Sequence, residues 1–199
     1  MDFEKLMTQP LPDFAAARRA MIDSQLRPQG VSDPAVLAAM GSVPREEFVP
    51  EAVRPLAYSD RPLDLGGGKA MMPPSALASL VTALEPRSGE RALVVGSGNG
   101  YAARVLEALG LKVDQADAGG ASAKSGYDVI LIDGAVGEVP AGLADRLVPN
   151  GRLATGIDDN GVTRLAVGRV SAGVLGLRRF ADSEVPVLPG FSRPRAFTF

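Results

Sequence analysis

Residues 93–101 read Leu-Val-Val-Gly-Ser-Gly-Asn-Gly-Tyr, a short apolar run that breaks into three alternate glycines. This pattern predicts a β-strand that turns sharply into a helix, because Gly96, Gly98 and Gly100 allow positive φ angles and place no Cβ between the backbone and a ligand. The helix expected after Tyr101 would direct its free N–H groups and the positive end of its dipole at that ligand. The stretch therefore predicts a nucleotide-like binding loop; the alternative is an ordinary turn, in which Asn-Gly is common.

The spacing of the glycines separates candidate ligands. It is G-x-G-x-G, which differs from the G-x-G-x-x-G of dinucleotide enzymes. The difference favours S-adenosylmethionine, whose carboxylate rather than a pyrophosphate would face the loop. Asp117 lies 21 positions after Gly96, near the spacing of about 20 at which an acidic residue binds ribose hydroxyls. A solvated loop carboxylate is the alternative for Asp117.

The composition limits the chemistry. The chain has 199 residues, with 23 acidic and 21 basic side chains and a net charge of −2, so no basic field attracts nucleic acid or anionic lipid. It has no Cys and no His, which excludes disulfides, zinc-finger sites, thiol nucleophiles and Ser-His or Cys-His catalysis. We therefore predict no metal site and no nucleic-acid partner. No run approaches the ~18 apolar residues of a membrane span and residues 1–12 lack an apolar signal core, so a cytoplasmic protein with no membrane partner is expected.

The chain length suits a single domain, residues 1–199, with a helical N-terminal region over 1–88 and an α/β core with a C-terminal tail over 89–199. Helices are predicted over 13–29, 33–40 and 73/74–84, on the basis of N-cap aspartates, prolines at the first turn and apolar periodicity. Residues 42–50 are too interrupted by proline for one long element, and residues 58–69 are expected to be irregular and to end in a flexible glycine loop.

Short apolar strands alternate with turns and helices in the second half, which is typical of an α/β sheet. Strands are predicted over 91–95, 112–116, 127–132, 152–157, 162–170 and 176–180, with a helix over 137–147 and a hairpin turn at 158–161. Asp133 follows the most apolar strand at the carboxyl edge of the sheet, where open α/β folds bind ligands. It is either a site residue or the N-cap of the next helix. The prolines of residues 185–191 predict an extended segment packed over the domain.

Three blocks resemble the protein-L-isoaspartate (D-aspartate) O-methyltransferases. They are residues 21–26 (MIDSQL), residues 43–50 with 57–63 (VPREEFVP and AYSDRPL), and the glycine loop 96–101. Together with YDVI at 127–130 and PNGRL at 149–153, the resemblance covers roughly residues 15 to 156. It implies a Rossmann-like methyltransferase sheet with an N-terminal helical subdomain. The implied reaction transfers a methyl group from S-adenosylmethionine to the isoaspartyl carboxylate of damaged proteins or peptides.

The predicted site combines these signals. Cofactor-binding candidates are Gly96, Ser97, Gly98, Asn99, Gly100, Asp117 and Asp133. The family carries an acidic residue, which helps to hold the methionine end, where this chain has Val94. It carries Thr and Ser beside the substrate carboxylate where this chain has Ala70 and Met72, so the catalytic residues are unknown. Lys69 and Met72 are the substrate-binding candidates; Lys69 would attract a carboxylate by charge or is simply solvated.

A gap accompanies these differences. Only residues 118–126 connect Asp117 to Tyr127, where the family places a helix, a strand and another helix. The sheet is therefore expected to be shortened by a strand and its flanking helices, which would expose the adenine end of the cofactor and weaken its binding. Three functions remain open: an isoaspartyl methyltransferase, a catalytically degenerate binding or scaffold module, and a methyltransferase with a different carboxylate acceptor. The oligomeric state is not predicted.

Overall fold

A six-stranded sheet organises the chain in the computed structural model, which describes residues 13–96, 99–117 and 124–191. The described helices are α1 Phe14–Met21, α2 Pro34–Ser42, α3 Pro74–Leu84, α4 Tyr101–Ala108 and α5 Ala141–Ala144. The strands are β1 Leu63–Gly66, β2 Lys69–Met71, β3 Arg91–Gly96, β4 Lys112–Asp117, β5 Tyr127–Val136, β6 Leu147–Asp159, β7 Val162–Ser171 and β8 Val174–Asp182.

The sheet has the order β4-β3-β5-β6-β7-β8, in which the first four strands are parallel and β7 and β8 are antiparallel. The predicted Rossmann-like α/β architecture is confirmed. Within the described residues β4 pairs only with β3 and forms one edge of the sheet, as expected from the short connection between β4 and β5. The part of that connection at residues 118–123 lies outside the described residues.

The N-terminal helices begin at the residues that the sequence predicts. The Asp13 side chain accepts a hydrogen bond from the Ala16 amide at 2.9 Å, and Asp33 accepts from Ala35 at 2.8 Å; both satisfy amides that a helix leaves unpaired. The helix predicted over 13–29 is confirmed for most of its length, although its last part, Ile22–Leu26, is a π-helical turn.

Two sequence-based predictions are wrong. Residues 63–71 form the β1–β2 hairpin rather than an irregular segment, because Gly67 (φ 62°) and Gly68 (φ 74°) adopt the two positive φ angles of a tight hairpin turn. The helix predicted over 137–147 is reduced to α5, because the Gly137 amide donates to the Phe191 carbonyl of the tail, Pro140 directly precedes the first helical residue, and β6 already begins at Leu147. β5 also runs further than predicted, to Val136. Hydrogen bonds with the tail, residues 185–191, extend this strand. A pattern of neighbouring residues cannot predict such a tertiary contact.

The core lies on both faces of the sheet. Val94, Leu131 and Ala135 face the side covered by α2, α3 and α4. Leu93 and Ile130 face the opposite side, where α5 and tail residue Leu188 contribute. No helix in the described ranges combines the length and the apolar character needed to cross a bilayer.

The predicted extended tail is confirmed for residues 185–191. The Ala135 amide donates to the Pro186 carbonyl at 2.7 Å, and the Leu188 amide donates back to the Ala135 carbonyl at 2.8 Å. A Cβ on Gly134 would lie 2.5 Å from the Leu188 side chain, so the glycine makes room for this crossing. The tail therefore passes over the carboxyl end of β5.

Candidate active site

A cavity of about 290 Å³ lies at the carboxyl ends of β3, β4 and β5, beside the start of α4. The described residues lining it are Val94, Gly96, Gly100, Ala102, Ala103, Gln115, Ala116, Asp117 and Asp133. This is the edge at which parallel α/β sheets bind ligands. The cavity brings together four of the predicted cofactor-binding residues, whereas Ser97 and Gly98 lie outside the described residues.

The glycine loop has the geometry of a close backbone approach. Gly100 precedes α4 with a φ of 82°, a conformation that L side chains rarely adopt. A Cβ on Gly96 would lie 2.8 Å from the Cβ of Asp133, so no larger residue fits at the end of β3. The Asn99 side chain accepts from the Tyr101 amide at 2.8 Å, which fixes the entry into α4.

Asp133 lies within β5, opposite Gly96 in the parallel register. The alternative that it caps a helix is wrong, because α5 begins eight positions later at Ala141 and follows Pro140. Burial raises the pKa of the Asp133 carboxyl to about 6, although Arg45 and a hydrogen bond from Asn99 oppose the shift. A buried carboxylate that lines a cavity, and whose pKa is perturbed, is a candidate functional group.

Arg45 is the buried cation beside this carboxylate, and sequence reasoning did not select it. Its side chain is fully buried, and it donates to the carbonyls of Ala57 and Met72 at 2.6 Å each. The guanidinium lies 4.9 Å from the centre of the Tyr101 ring. Desolvation lowers the pKa of Arg45, while the charge of Asp133 opposes that shift. The sequence signal that could have identified Arg45 is its position inside block 43–50, one of the three blocks that resemble the family.

Other residues of this block form hydrogen bonds with neighbouring N-terminal elements. The Tyr58 hydroxyl donates to Glu46 and accepts from Arg18 at 2.7 Å, and Arg18 also pairs with Glu46 at 2.8 Å. Burial, with the neighbouring Glu46, raises the pKa of Tyr58. Asp60 accepts from the Ser75 amide at the start of α3 at 3.1 Å. These contacts join α1 and residues 46–60 to each other and to the start of α3, so the block has a structural role.

A second cavity, of about 380 Å³, adjoins the first and shares Gly96 and Asp117 with it. Its other described lining residues belong to the β1–β2 hairpin and the tail: Gly67, Gly68, Lys69, Ala70, Pro186, Val187, Leu188 and Pro189. The two adjacent cavities are together called the cleft: the first lies at the glycine loop, and the second is lined by the hairpin and the tail, two separate parts of the chain.

Comparisons with known proteins agree with this architecture. A family model described as protein-L-isoaspartate (D-aspartate) O-methyltransferase matches residues 16–113. The protein-L-isoaspartate O-methyltransferase of Methylorubrum extorquens is 35% identical over 212 residues, which cover 92% of this chain and 93% of that protein. This chain belongs to the protein-L-isoaspartate O-methyltransferase family. The protein-L-isoaspartate O-methyltransferase 1 of Rhodopseudomonas palustris is also 35% identical, over 88% of this chain and 84% of its own length.

Solved structures of the same family share the fold. One, from Plasmodium falciparum and described as a protein-L-isoaspartate O-methyltransferase in complex with S-adenosyl-L-homocysteine, aligns with a TM-score of 0.68 at 19% identity. The alignment covers 86% of this chain and 97% of that chain. A second protein-L-isoaspartate O-methyltransferase structure aligns with a TM-score of 0.70 at 21% identity, over 87% of this chain and 66% of its own. These structures confirm the predicted fold, and the relatives from Methylorubrum extorquens and Rhodopseudomonas palustris confirm the predicted family.

Two of the three substitutions relative to the family pattern, Val94 and Ala70, lie at the cleft, and the third, Met72, does not. Val94 lines the first cavity with an apolar side chain, and Ala70 lines the second without a hydroxyl. Met72 does not line either cavity: its side chain is buried in the core, and its carbonyl accepts from Arg45. Of the two predicted substrate-binding residues, the structure places only Lys69 at the cleft.

Proposed function

We propose that this chain transfers a methyl group from S-adenosylmethionine to the isoaspartyl carboxylate of damaged polypeptides. The observation that carries the proposal is that the glycine-loop cavity adjoins a second cavity lined in part by Lys69, with Gly96 and Asp117 lining both. The family supplies the reaction, and the cleft provides a place for a donor beside a place for an acceptor.

The residues of the first cavity fit S-adenosylmethionine. Gly96 and Gly100 let the backbone approach a ligand, and the first turn of α4 has amides that lack carbonyl partners within the helix. Asp117 ends β4 opposite Gly96 and is exposed to the cavity, where its carboxylate would accept hydrogen bonds from the ribose hydroxyls. Ser97, Gly98 and Asn99 would complete the loop.

The second cavity suits an extended polypeptide. One wall is the tail with Pro186, Val187 and Pro189, and the other is the hairpin turn with Lys69. Lys69 is exposed and is a cation, so it would attract the acceptor carboxylate toward the shared residues Gly96 and Asp117. Charge would then take the place of the hydroxyls that are missing at Ala70 and Met72.

The chain's own groups would act by alignment and exclusion of water. S-adenosylmethionine, when bound, supplies an activated methyl group on a sulfonium, and the acceptor carboxylate is already a nucleophile. The reaction therefore needs little acid or base help from the protein, which is consistent with a chain that has no His and no Cys. The glycine loop would hold the donor, and the hairpin and tail would hold the acceptor in line with it.

Calorimetric titration with S-adenosylmethionine, followed by methyl transfer to an isoaspartyl peptide, tests the proposal. The matched control is the same peptide with an ordinary aspartyl residue, which has equal mass and charge. We expect binding and faster methylation of the isoaspartyl peptide. Absence of binding at millimolar cofactor would favour a degenerate module. Binding with transfer to other carboxylates, but not to the isoaspartyl peptide, would favour a changed acceptor, for which the lost hydroxyls are the motivating observation.

A further inference from the structure

We propose that Asp133 binds the α-ammonium group at the methionine end of S-adenosylmethionine, in place of the acidic residue that the family carries at the position of Val94. This assignment rests on the proposed function, since it concerns the same cofactor. It gives this chain a cofactor-binding carboxylate on β5 instead of β3.

The register of the sheet places the two positions on one face. In the parallel register, Val94 pairs with Leu131 and Gly96 pairs with Asp133. Residues two apart along a strand point to the same face, so Val94 and Asp133 lie on one face of the sheet. Asp133 is thus one strand across from Val94 and one pleat nearer the carboxyl edge. Both residues line the first cavity, and a carboxylate at 133 reaches the space that an acidic side chain at 94 would otherwise enter.

Gly96 makes this placement possible. A side chain at Gly96 would have its Cβ 2.8 Å from the Asp133 Cβ and 3.2 Å from the Asp133 carbonyl oxygen. The Asp133 side chain therefore packs beside the backbone of the glycine loop. The hydrogen bond from Asn99 ties its carboxyl group to that same loop, at the end of the cavity where the amides of α4 begin.

No described cation forms an ion pair with the Asp133 carboxylate. Arg45, behind the cavity, is the cation whose charge acts on it most, yet the two side chains form no ion pair within 4 Å. The Arg45 Nε and Nη2 groups donate to the Ala57 and Met72 carbonyls, and the buried Nη1 group has no hydrogen-bond partner among the described residues. Among the described residues around the cavity, the other titratable groups are Tyr101 from α4 and Asp117 from β4, and neither supplies positive charge. A ligand ammonium would provide the missing countercharge.

The same electrostatics disfavour an acceptor carboxylate next to Asp133. Two carboxylates in one desolvated site repel each other unless one is protonated. The acceptor is attracted instead by Lys69, on the far side of the shared residues Gly96 and Asp117. S-adenosylmethionine has two cationic groups, the sulfonium and the methionine ammonium, and of these only the ammonium can donate hydrogen bonds to the Asp133 carboxylate.

Comparing the binding of two ligands distinguishes a contact between Asp133 and the ammonium from a general disturbance of the cleft. S-adenosylhomocysteine carries the α-ammonium, whereas 5′-methylthioadenosine has the same adenosine and sulfur without the amino acid end. Binding of both is measured by calorimetry for the natural chain, for Asp133→Asn and for the control Asp117→Asn. We expect Asp133→Asn to weaken S-adenosylhomocysteine about ten- to a hundredfold, the usual contribution of a charge-assisted hydrogen bond, and to leave 5′-methylthioadenosine unchanged. Asp117→Asn should weaken both, because both carry the ribose.

A second measurement uses the natural chain alone, so it does not depend on the variant folding. Because burial raises the pKa of Asp133 to about 6, affinity for S-adenosylhomocysteine should fall as the pH is lowered from 7.5 to 5, approaching tenfold per pH unit at the acid end. Affinity for 5′-methylthioadenosine should stay level over that range.

The outcomes are distinguishable. If S-adenosylhomocysteine binds the natural chain and Asp133→Asn equally well, or if both ligands weaken together in that variant, the role given to Asp133 is wrong and the proposed function stands. Equal pH profiles for the two ligands would overturn it as well. If neither ligand binds the natural chain at any pH, the proposed function itself fails.

Discussion

Arg45 and Asp133 are two charged residues in places where water does not solvate them. The guanidinium of Arg45 is held by two backbone carbonyls and the Tyr101 ring, whereas among the described residues the charge of Arg45 and a hydrogen bond from Asn99 offset the burial of Asp133. The two residues therefore differ in kind. Arg45 has the contacts of a structural cation. Asp133 is a buried carboxylate without a paired cation among the described residues, as we propose for a ligand-binding group.

Replacing Arg45 should destabilise the fold. Arg45→Met leaves the Ala57 and Met72 carbonyls without donors and removes the charge that offsets Asp133, so we expect the free energy of unfolding to fall by about 3–5 kcal/mol. Urea denaturation monitored by circular dichroism measures this loss. Arg54→Met is the matched control: Arg54 is exposed on the neighbouring 3₁₀-helix Glu51–Leu56, and its loss should change stability by less than about 0.5 kcal/mol. Equal losses in the two variants would contradict the assigned role.

Lys69 should act on the acceptor and not on the cofactor. Because it is exposed, its charge is screened, and Lys69→Met should raise the KM for an isoaspartyl peptide only about two- to fivefold at low ionic strength. The difference should shrink as salt is added, while affinity for S-adenosylmethionine stays unchanged. Lys112→Met, at the opposite end of the sheet where β4 begins, is the control. An effect of Lys69→Met that is independent of salt would argue against attraction by charge.

The tail, residues 185–191, acts as an additional element at the carboxyl edge of the sheet. It exchanges backbone hydrogen bonds with Ala135 and continues to a bond between the Gly137 amide and the Phe191 carbonyl at 2.8 Å. Leu188 lies in the core over Gly134, whereas Val187 remains exposed at the wall of the second cavity. The tail thus fixes the end of β5 and supplies part of the wall of the second cavity, where we propose that the acceptor binds.

Substitutions in the tail should separate these two roles. Leu188→Ala removes a buried side chain that fills the space above Gly134, so unfolding should become easier by about 2–4 kcal/mol. Val187→Ala, one position earlier, removes an exposed side chain and should cost less than about 1 kcal/mol. Thermal and urea unfolding of both variants provide the measurement. If Leu188→Ala unfolds like Val187→Ala, the tail does not hold the sheet edge in solution.

The ionised carboxylate of Asp133 lowers the stability of the whole folded molecule, and the size of this effect depends on pH. Burial raises the pKa of Asp133 from an ordinary value of 3.8 to about 6. Protonation is therefore favoured by the folded state, so the stability contribution of this group is fully present below pH 4 and is lost as the pH rises through 6.

Asp133→Asn imitates the protonated form and should remove this dependence. We expect the variant without ligand to be more stable than the natural chain by about 3 kcal/mol at most at pH 8, since two pKa units correspond to about 3 kcal/mol, and to equal it near pH 4. Urea unfolding at a series of pH values measures the difference. A variant less stable than the natural chain at pH 8 would show that the ionised carboxylate stabilises the fold. Greater stability combined with weaker cofactor binding is the expected mark of a functional group.

Local patterns in the sequence were sufficient for the regular elements. The aspartates before α1 and α2, the apolar face of α3 and the glycine loop between β3 and α4 each depend on neighbours within a few residues, and all were predicted. Residues 137–140 were assigned to a helix that does not form there, because the Gly137 amide bonds to the Phe191 carbonyl of the tail, more than fifty positions further along the chain, and Pro140 precedes the first helical residue. Arg45 was not predicted as a site residue for a similar reason: its partners are residues 57, 72, 101 and 133, which are distant from it in sequence.

The sequence by itself determined the family, the Rossmann-like sheet and the position of the glycine loop, because these follow from local glycine spacing, apolar runs and sequence blocks. It also identified what the family pattern lacks at Val94, Ala70 and Met72. Only the tertiary structure decided that Asp133 belongs to the cavity rather than to a helix cap, that Met72 is buried, and that the hairpin and the tail meet across the cleft. Strand register, burial and the electrostatic field of Arg45 arise between segments distant in sequence, so no local pattern contains them.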